Sequence, residues 1–248
     1  MLNVIDYVAG TTVLHRLNPV SKLALATALI LATISAQSLV ALAGLLGLTF
    51  ALATYANVQS RLLGLFKVLL PIAFAMFALQ LLFVQGGERL WGFVSTEGIE
   101  TGARACLRLV GVALPLVLML TVTKLTDLAN ACVEVLHVPY TYAFTFTTAL
   151  RFVPVFTQEM NAIMEAQTAR GLAFDTRNPI KKMTMILPVC IPLLVTSVSK
   201  TDAIALAAEQ RGFYLRSSKS SYKRYPLRAI DWLAFACCAG IIAFGLML

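Results

Sequence analysis

The sequence predicts an all-α integral membrane protein with about five transmembrane helices and a long helical region outside the bilayer. Three observations lead there. Of 248 residues, 59% are hydrophobic and only 13% charged, and the mean hydropathy is +0.81. No water-soluble domain needs so much apolar surface. The apolar residues fall in long uncharged runs. The Lys and Arg behind the net charge of +8 cluster in the middle of the chain. In a membrane protein that pattern marks cytoplasmic loops or docking to an acidic partner, not nucleic acid.

A span needs roughly 20 apolar residues to cross about 30 Å of hydrocarbon. Leu23 to Ala56 is apolar almost throughout and would make a helix about 50 Å long, too long for one crossing. The polar break from Ser35 to Ser38 predicts a hairpin of two short spans. A third span is expected from about Val68 to Val84, with Pro71 near its start, where a helix tolerates it. A fourth runs from about Leu107 to Val122, with Arg104 and Arg108 near one end. The last is Ile230 to Leu248, with Asp231 at its edge. Two stretches are ambiguous. Tyr140 to Phe156 is interrupted by Arg151 and Pro154, and Met183 to Val198 carries Pro188 and Pro192. Counting both gives seven spans; counting neither gives five.

Charge placement favours five. Thirteen Lys or Arg stand against seven Asp or Glu between Lys124 and Arg228. The loop from Gly86 to Gly102 carries Glu88, Glu97 and Glu100 against Arg89 alone. The excess of cations inside puts the N-terminus, the Arg61/Lys67 loop and the middle region in the cytoplasm, and the 86–102 loop outside. Seven spans would turn Arg170, Arg177, Lys181 and Lys182 outward. The expected division is a membrane region at 1–123, a cytoplasmic or interfacial helical region at 124–228, and a final span at 229–248. The first residues lack a basic segment followed by an apolar core, so no cleavable signal is expected.

Catalytic chemistry is hard to find. No glycine precedes a lysine, so there is no phosphate-cradling loop of the Gly-Lys-Ser/Thr type, and there is no Gly-x-Ser-x-Gly. His15 and His137 are not spaced with other ligands for a metal. Cys106, Cys132, Cys190, Cys237 and Cys238 form no Cys-x-x-Cys and read as small hydrophobes. The span interiors hold almost no titratable group, which argues against proton symport. Sodium coupling through unwound backbone stays open. No catalytic residue, cofactor or metal ligand is expected.

The informative motif is a pair of Arg-Gly helix ends: AQTARGLAFD, Ala166 to Asp175, and AAEQRGFYLR, Ala207 to Arg216. One such end is a cap. Glycine enters the left-handed region freely, and arginine complements the negative end of the helix dipole by about 0.3–1 kcal/mol. Two copies suggest more. Small residues precede each arginine: Ala162, Ala166 and Ala169 before Arg170, and Ala203, Ala207 and Ala208 before Arg211. A thin helix of that kind can lie in a partner's groove and present its guanidinium to an acidic wall.

Four stretches carry a specific resemblance. They are LHRLNPVSKL (Leu14 to Leu23), LTDLANACVEVLHVPYTYAF (Leu125 to Phe144), ALRFVPVFTQEMNAIMEAQTARG (Ala149 to Gly171) and DAIALAAEQRGF (Asp202 to Phe213). In these the chain resembles the transmembrane coupling component of energy-coupling factor transporters, the EcfT/CbiQ family. Asn18 stands where that family usually has Asp, Val20 where it has Arg, and Gln210 where it has Ala.

The resemblance implies an L-shaped subunit of a prokaryotic cell membrane, with membrane helices and long cytoplasmic coupling helices. It implies that Arg170 and Arg211 each insert into one of two ATP-binding cassette ATPases, flanked by Ala169, Gly171, Gln210 and Gly212. A separate small membrane protein would bind the substrate, a vitamin or a transition-metal ion. Pro188 and Pro192 are the candidate hinge that passes motion on; they also suit a merely kinked interfacial helix. A self-contained secondary carrier is the rival. It predicts seven or more spans and substrate binding by the chain alone.

Overall fold

The computed structural model describes residues 7, 8, 10, 12–84, 86, 89–91, 94–172, 179–215 and 224–247. Its helices are α1 (Val13–Arg16), α2 (Pro19–Ser35), α3 (Leu39–Tyr55), α4 (Gln59–Phe83), α5 (Thr96–Val122), α6 (Leu125–Val135), α7 (Tyr140–Ala169), α8 (Pro179–Gln210) and α9 (Ala229–Met247). The all-α expectation holds except for two short antiparallel strands between α4 and α5, β1 (Arg89–Trp91) and β2 (Val94–Ser95). The chain divides into two compact units, Met1–Leu136 with Tyr225–Leu248, and His137–Arg224.

In the first unit the helix boundaries follow local chemistry. Asn18 caps α2, its side chain accepting from Val20 N at 3.0 Å, and Pro19 follows at the position where a missing N–H is harmless. The predicted break at Ser35 to Ser38 separates α2 from α3. The Arg108 guanidinium, reaching from α5, donates to the Ala36 carbonyl at 2.8 Å. A cation at a helix C-terminus meets unpaired carbonyls and the negative end of the dipole. This arginine therefore closes α2.

Two expected boundaries are corrected. α4 begins at Gln59, so Pro71 lies in the helix interior and not near its start. The polar residues Gln59, Ser60, Arg61 and Lys67 belong to the same helix, although hydropathy separates them from its apolar part. α5 begins at Thr96, so Glu97 and Glu100 occupy its first turns rather than a loop. Ser95 caps it, accepting from Gly98 N at 3.0 Å, and Glu97 complements the positive end of its dipole. Glu88, Arg177 and Arg216 lie outside the described residues.

The core sits where α2, α3 and α5 meet. Leu29, Leu42 and Leu45 fill one cluster; Leu62, Leu114, Leu118 and Val122 fill another. α9 lies against α2 at very close range: a Cβ on Gly245 would come 2.6 Å from Ala32 Cα. Small residues let helix backbones approach this closely in a membrane. By contrast, Phe74 and Phe83 of α4 are 72% and 80% exposed. Apolar side chains directed outward fit hydrocarbon as the solvent.

Among the described residues, four helical stretches are long and apolar enough to cross a bilayer: Gln59–Phe83, Thr96–Val122, Ile186–Gln210 and Ala229–Met247. α2 and α3, at 17 residues each, lie at the short end of the spanning range. The chain is a multi-pass membrane protein. Charge placement argued for keeping the 183–198 stretch at the interface, yet by length and composition alone Ile186–Gln210 suffices to cross.

The second unit is a pair of long antiparallel helices. Its contacts step in opposite directions along the two. Phe144 meets Phe213 with ring centroids 4.8 Å apart, Glu159 pairs with Lys200, and Gln167 reaches the Pro188 carbonyl. α7 continues unbroken past Arg151 and Pro154 for 30 residues, and α8 past both of its prolines for 32.

Candidate functional site

Both predicted Arg-Gly segments are helix C-termini. Arg170 is the C-cap of α7, and Gly171 follows with φ +88°. Leu172 N donates to Gln167 O at 3.1 Å and Gly171 N to Thr168 O at 2.9 Å. These are the two bonds of a full glycine-terminated cap. Arg211 takes the same place after α8. Gly212 has φ +70°, and its N–H donates to Glu209 O at 2.9 Å. There the chain then turns into a single 3₁₀ turn, Phe213–Leu215. The cap that one Arg-Gly implied is thus present twice.

Capping explains the glycines, but it does not require arginine. Ala169, Arg170, Gln210 and Arg211 are exposed, as are Ala162, Ala166, Ala203 and Ala207. Among the described residues, neither guanidinium makes a hydrogen bond or ion pair. Each long helix therefore ends in an exposed cation beyond a thin alanine face, with no side-chain partner among the described residues. The two cations lie toward opposite ends of the pair. Arg211 shares a groove with Thr148, and α7 runs roughly 33 Å from Thr148 to Arg170 at 1.5 Å per residue.

The two ends have different surroundings. A Cβ on Gly171 would meet nothing within 4 Å. Near Arg211 an aromatic group forms a wall: Phe213 packs at a tilt, 5.4 Å from Tyr140 and 4.8 Å from Phe144, centroid to centroid. These rings and Arg151 border a groove of about 750 Å³.

The candidate hinge residues Pro188 and Pro192 lie inside α8. Pro192 has no N–H, so the Pro188 carbonyl loses its intrahelical donor. Gln167 Nε2 of α7 supplies one across the pair at 3.4 Å, a long bond. Downstream, Thr196 Oγ1 donates to the Pro192 carbonyl at 3.1 Å. The prolines thus sit in a continuous helix, and the carbonyl that Pro192 frees is served by a side chain of the facing helix.

Sequence reasoning did not find a buried polar joint in the first unit. Asp231 is 2% exposed. Its carboxylate accepts from Asn18 N at 2.9 Å and from Arg228 N at 2.8 Å. One side chain thereby serves donors at the starts of α2 and α9. Tyr225 is held at three points. Its N–H donates to Glu134 at 2.6 Å, its hydroxyl to Asp127 at 2.9 Å, and its carbonyl accepts from Asn18 Nδ2 at 2.7 Å. Lys22 Nζ donates to the carbonyls of His15 at 2.9 Å and Val122 at 3.2 Å. Asn18, one of the three departures from the family pattern, makes amide and backbone bonds here. The one sequence signal was polar residues beside apolar runs: Asn18, Lys22, Asp127 and Asp231.

Residues 10–222 match the family described as cobalt transport protein, CbiQ. The chain is 32% identical to the energy-coupling factor transporter transmembrane protein EcfT of Streptococcus thermophilus, over 98% of this chain and 95% of that one. It is 30% identical to the protein of the same name from Leuconostoc gelidum, covering 95% and 92%. It is 31% identical to that of Acidaminococcus fermentans, covering 83% and 81%.

Proposed function

This chain belongs to the CbiQ family of energy-coupling factor transmembrane proteins, and from that premise we propose that it is the coupling subunit of an ATP-driven importer. In this reading it catalyses nothing itself. Two ATP-binding cassette ATPases hydrolyse ATP, each seated on one Arg-Gly end, Ala169–Arg170–Gly171 or Gln210–Arg211–Gly212. A separate small membrane subunit binds the substrate, a vitamin or a transition-metal ion. The N-terminus and both arginine ends face the cytoplasm of a prokaryotic cell. Residues 124–228 act as the coupling region between membrane segments at 1–123 and 229–248.

The observation that carries the reading is the pair of exposed guanidiniums, without a partner among the described residues, at the ends of two long antiparallel helices. A lone cap would not need two long helices with opposite cationic tips. Arginine suits an acidic groove because its planar fork binds a carboxylate through two parallel hydrogen bonds. Pro188 and Pro192 are the proposed hinge. A helix already lacking intrahelical bonds there bends at lower cost than a regular one.

Charge reversal tests this. Arg170→Glu and Arg211→Glu, singly and together, are assayed for co-purification of the ATPases and for ATP-dependent uptake in membrane vesicles. Each single change is expected to weaken assembly and the double change to abolish both. Normal assembly and uptake in the double variant would refute the proposal.

A further inference from the structure

We propose that the Arg211 end is a two-arginine clamp, in which Arg151 joins Arg211 in gripping a carboxylate-bearing segment of the ATPase seated there. This rests on the function proposed above and names the chemistry of the partner at one of its two contacts. The groove there is bordered by Phe144, Arg151, Phe152, Ala207, Arg211 and Phe213. Its two cations come from facing helices, Arg151 from α7 and Arg211 from the end of α8, and both are exposed. No carboxylate is among the described residues that line it. Nearby on the same helices, Glu159 is engaged with Lys200.

Two like charges around one concavity repel each other. An anion between them reverses the sign of the interaction. Guanidinium suits this arrangement better than ammonium, because it binds a carboxylate bidentately and stacks on aromatic faces. The rest of the lining is aromatic and aliphatic apart from Thr148. Phe213 is braced by Tyr140 and Phe144, and Ala207 keeps one wall low. The matching occupant is an acidic side chain with an apolar or aromatic neighbour on a folded partner. An anionic lipid headgroup shares the charge but has no such neighbour to fill the aromatic floor.

The test uses the full-length chain in detergent and its two ATPase subunits purified from the same organism, with dissociation constants measured at two salt concentrations. Arg151→Gln is expected to weaken ATPase binding at least about tenfold, with a reduced salt dependence, while Arg151→Lys recovers part of the loss. The partial recovery separates lost charge from lost folding at this exposed position. Wild-type affinity in Arg151→Gln, with one of the two ATPases lost in Arg211→Gln, would overturn the clamp and leave the function standing. Failure of the wild-type chain to bind either ATPase would overturn both. Phosphatidylglycerol vesicles are the control. If Arg151→Gln loses vesicle binding and keeps ATPase binding, the occupant is a headgroup and the clamp is wrong.

Discussion

At the scale of single residues, two positions turn local geometry into measurable behaviour. Gly171 has open space around its missing Cβ but φ of +88°. Alanine there has no clash to relieve, so its whole cost is the left-handed backbone, about 1–2 kcal/mol. Gly171→Ala should therefore loosen the end of α7. Amide exchange at Gly171 and Leu172, whose N–H groups close the cap, should speed up. Unchanged exchange would show that the turn does not need glycine. His15 gives a pH effect. Its Nδ1 lies 2.7 Å from the Thr12 hydroxyl and its Nε2 3.2 Å from the Val8 carbonyl. The second bond makes Nε2 the protonated nitrogen, leaving Nδ1 to accept. Burial pushes the imidazole below its usual value of 6.5, and the Lys22 ammonium adds to the effect. The unfolded chain then binds the proton more readily than the folded one. Stability from this group is present above about pH 6.5 and declines as pH falls below that value. Thermal midpoints at pH 7.5 and 5.5 should differ more in the wild type than in His15→Gln; equal differences would remove His15 as the cause.

At the scale of elements, the joint around Asp231 and Tyr225 holds α2, α6 and α9 in one assembly. Asp231→Ala leaves two N–H donors at helix starts without their partner. Each buried orphan costs about 1–3 kcal/mol. Asp231→Asn keeps an acceptor and should cost less. The order of thermal midpoints in detergent, wild type above Asn above Ala, checks this; an Ala variant as stable as the wild type would mean the carboxylate is dispensable. This joint was not legible in the sequence because its bonds join residues 213 and 207 positions apart. No periodicity encodes such a pairing. The Arg-Gly ends were legible because a helix terminus is written within six residues. The break between α2 and α3 was legible for the same reason. The start of α4 was not: hydropathy follows the apolar stretch, while the helix continues through Gln59, Ser60 and Arg61. The continuity of α8 through two prolines was equally hidden, since the donor to the Pro188 carbonyl comes from Gln167 on the other helix.

At the scale of the whole molecule, one chain combines a unit of helices packed through small residues with a helix pair that exposes two cations unpartnered among the described residues. The division of labour follows from where charge is satisfied. In the first unit Arg108, Lys22 and Asp231 are all spent on backbone groups. In the second, Arg170 and Arg211 are spent on nothing among the described residues. Under the proposed function, exposed guanidiniums on alanine-faced helices serve an acidic partner, and two of them at opposite ends serve two partners. Stoichiometry tests that claim most directly. Native mass spectrometry of the complex isolated from membranes should find two ATPase subunits per chain, one in each of Arg170→Glu and Arg211→Glu, and none in the double variant. Two ATPases retained by the double variant would contradict it.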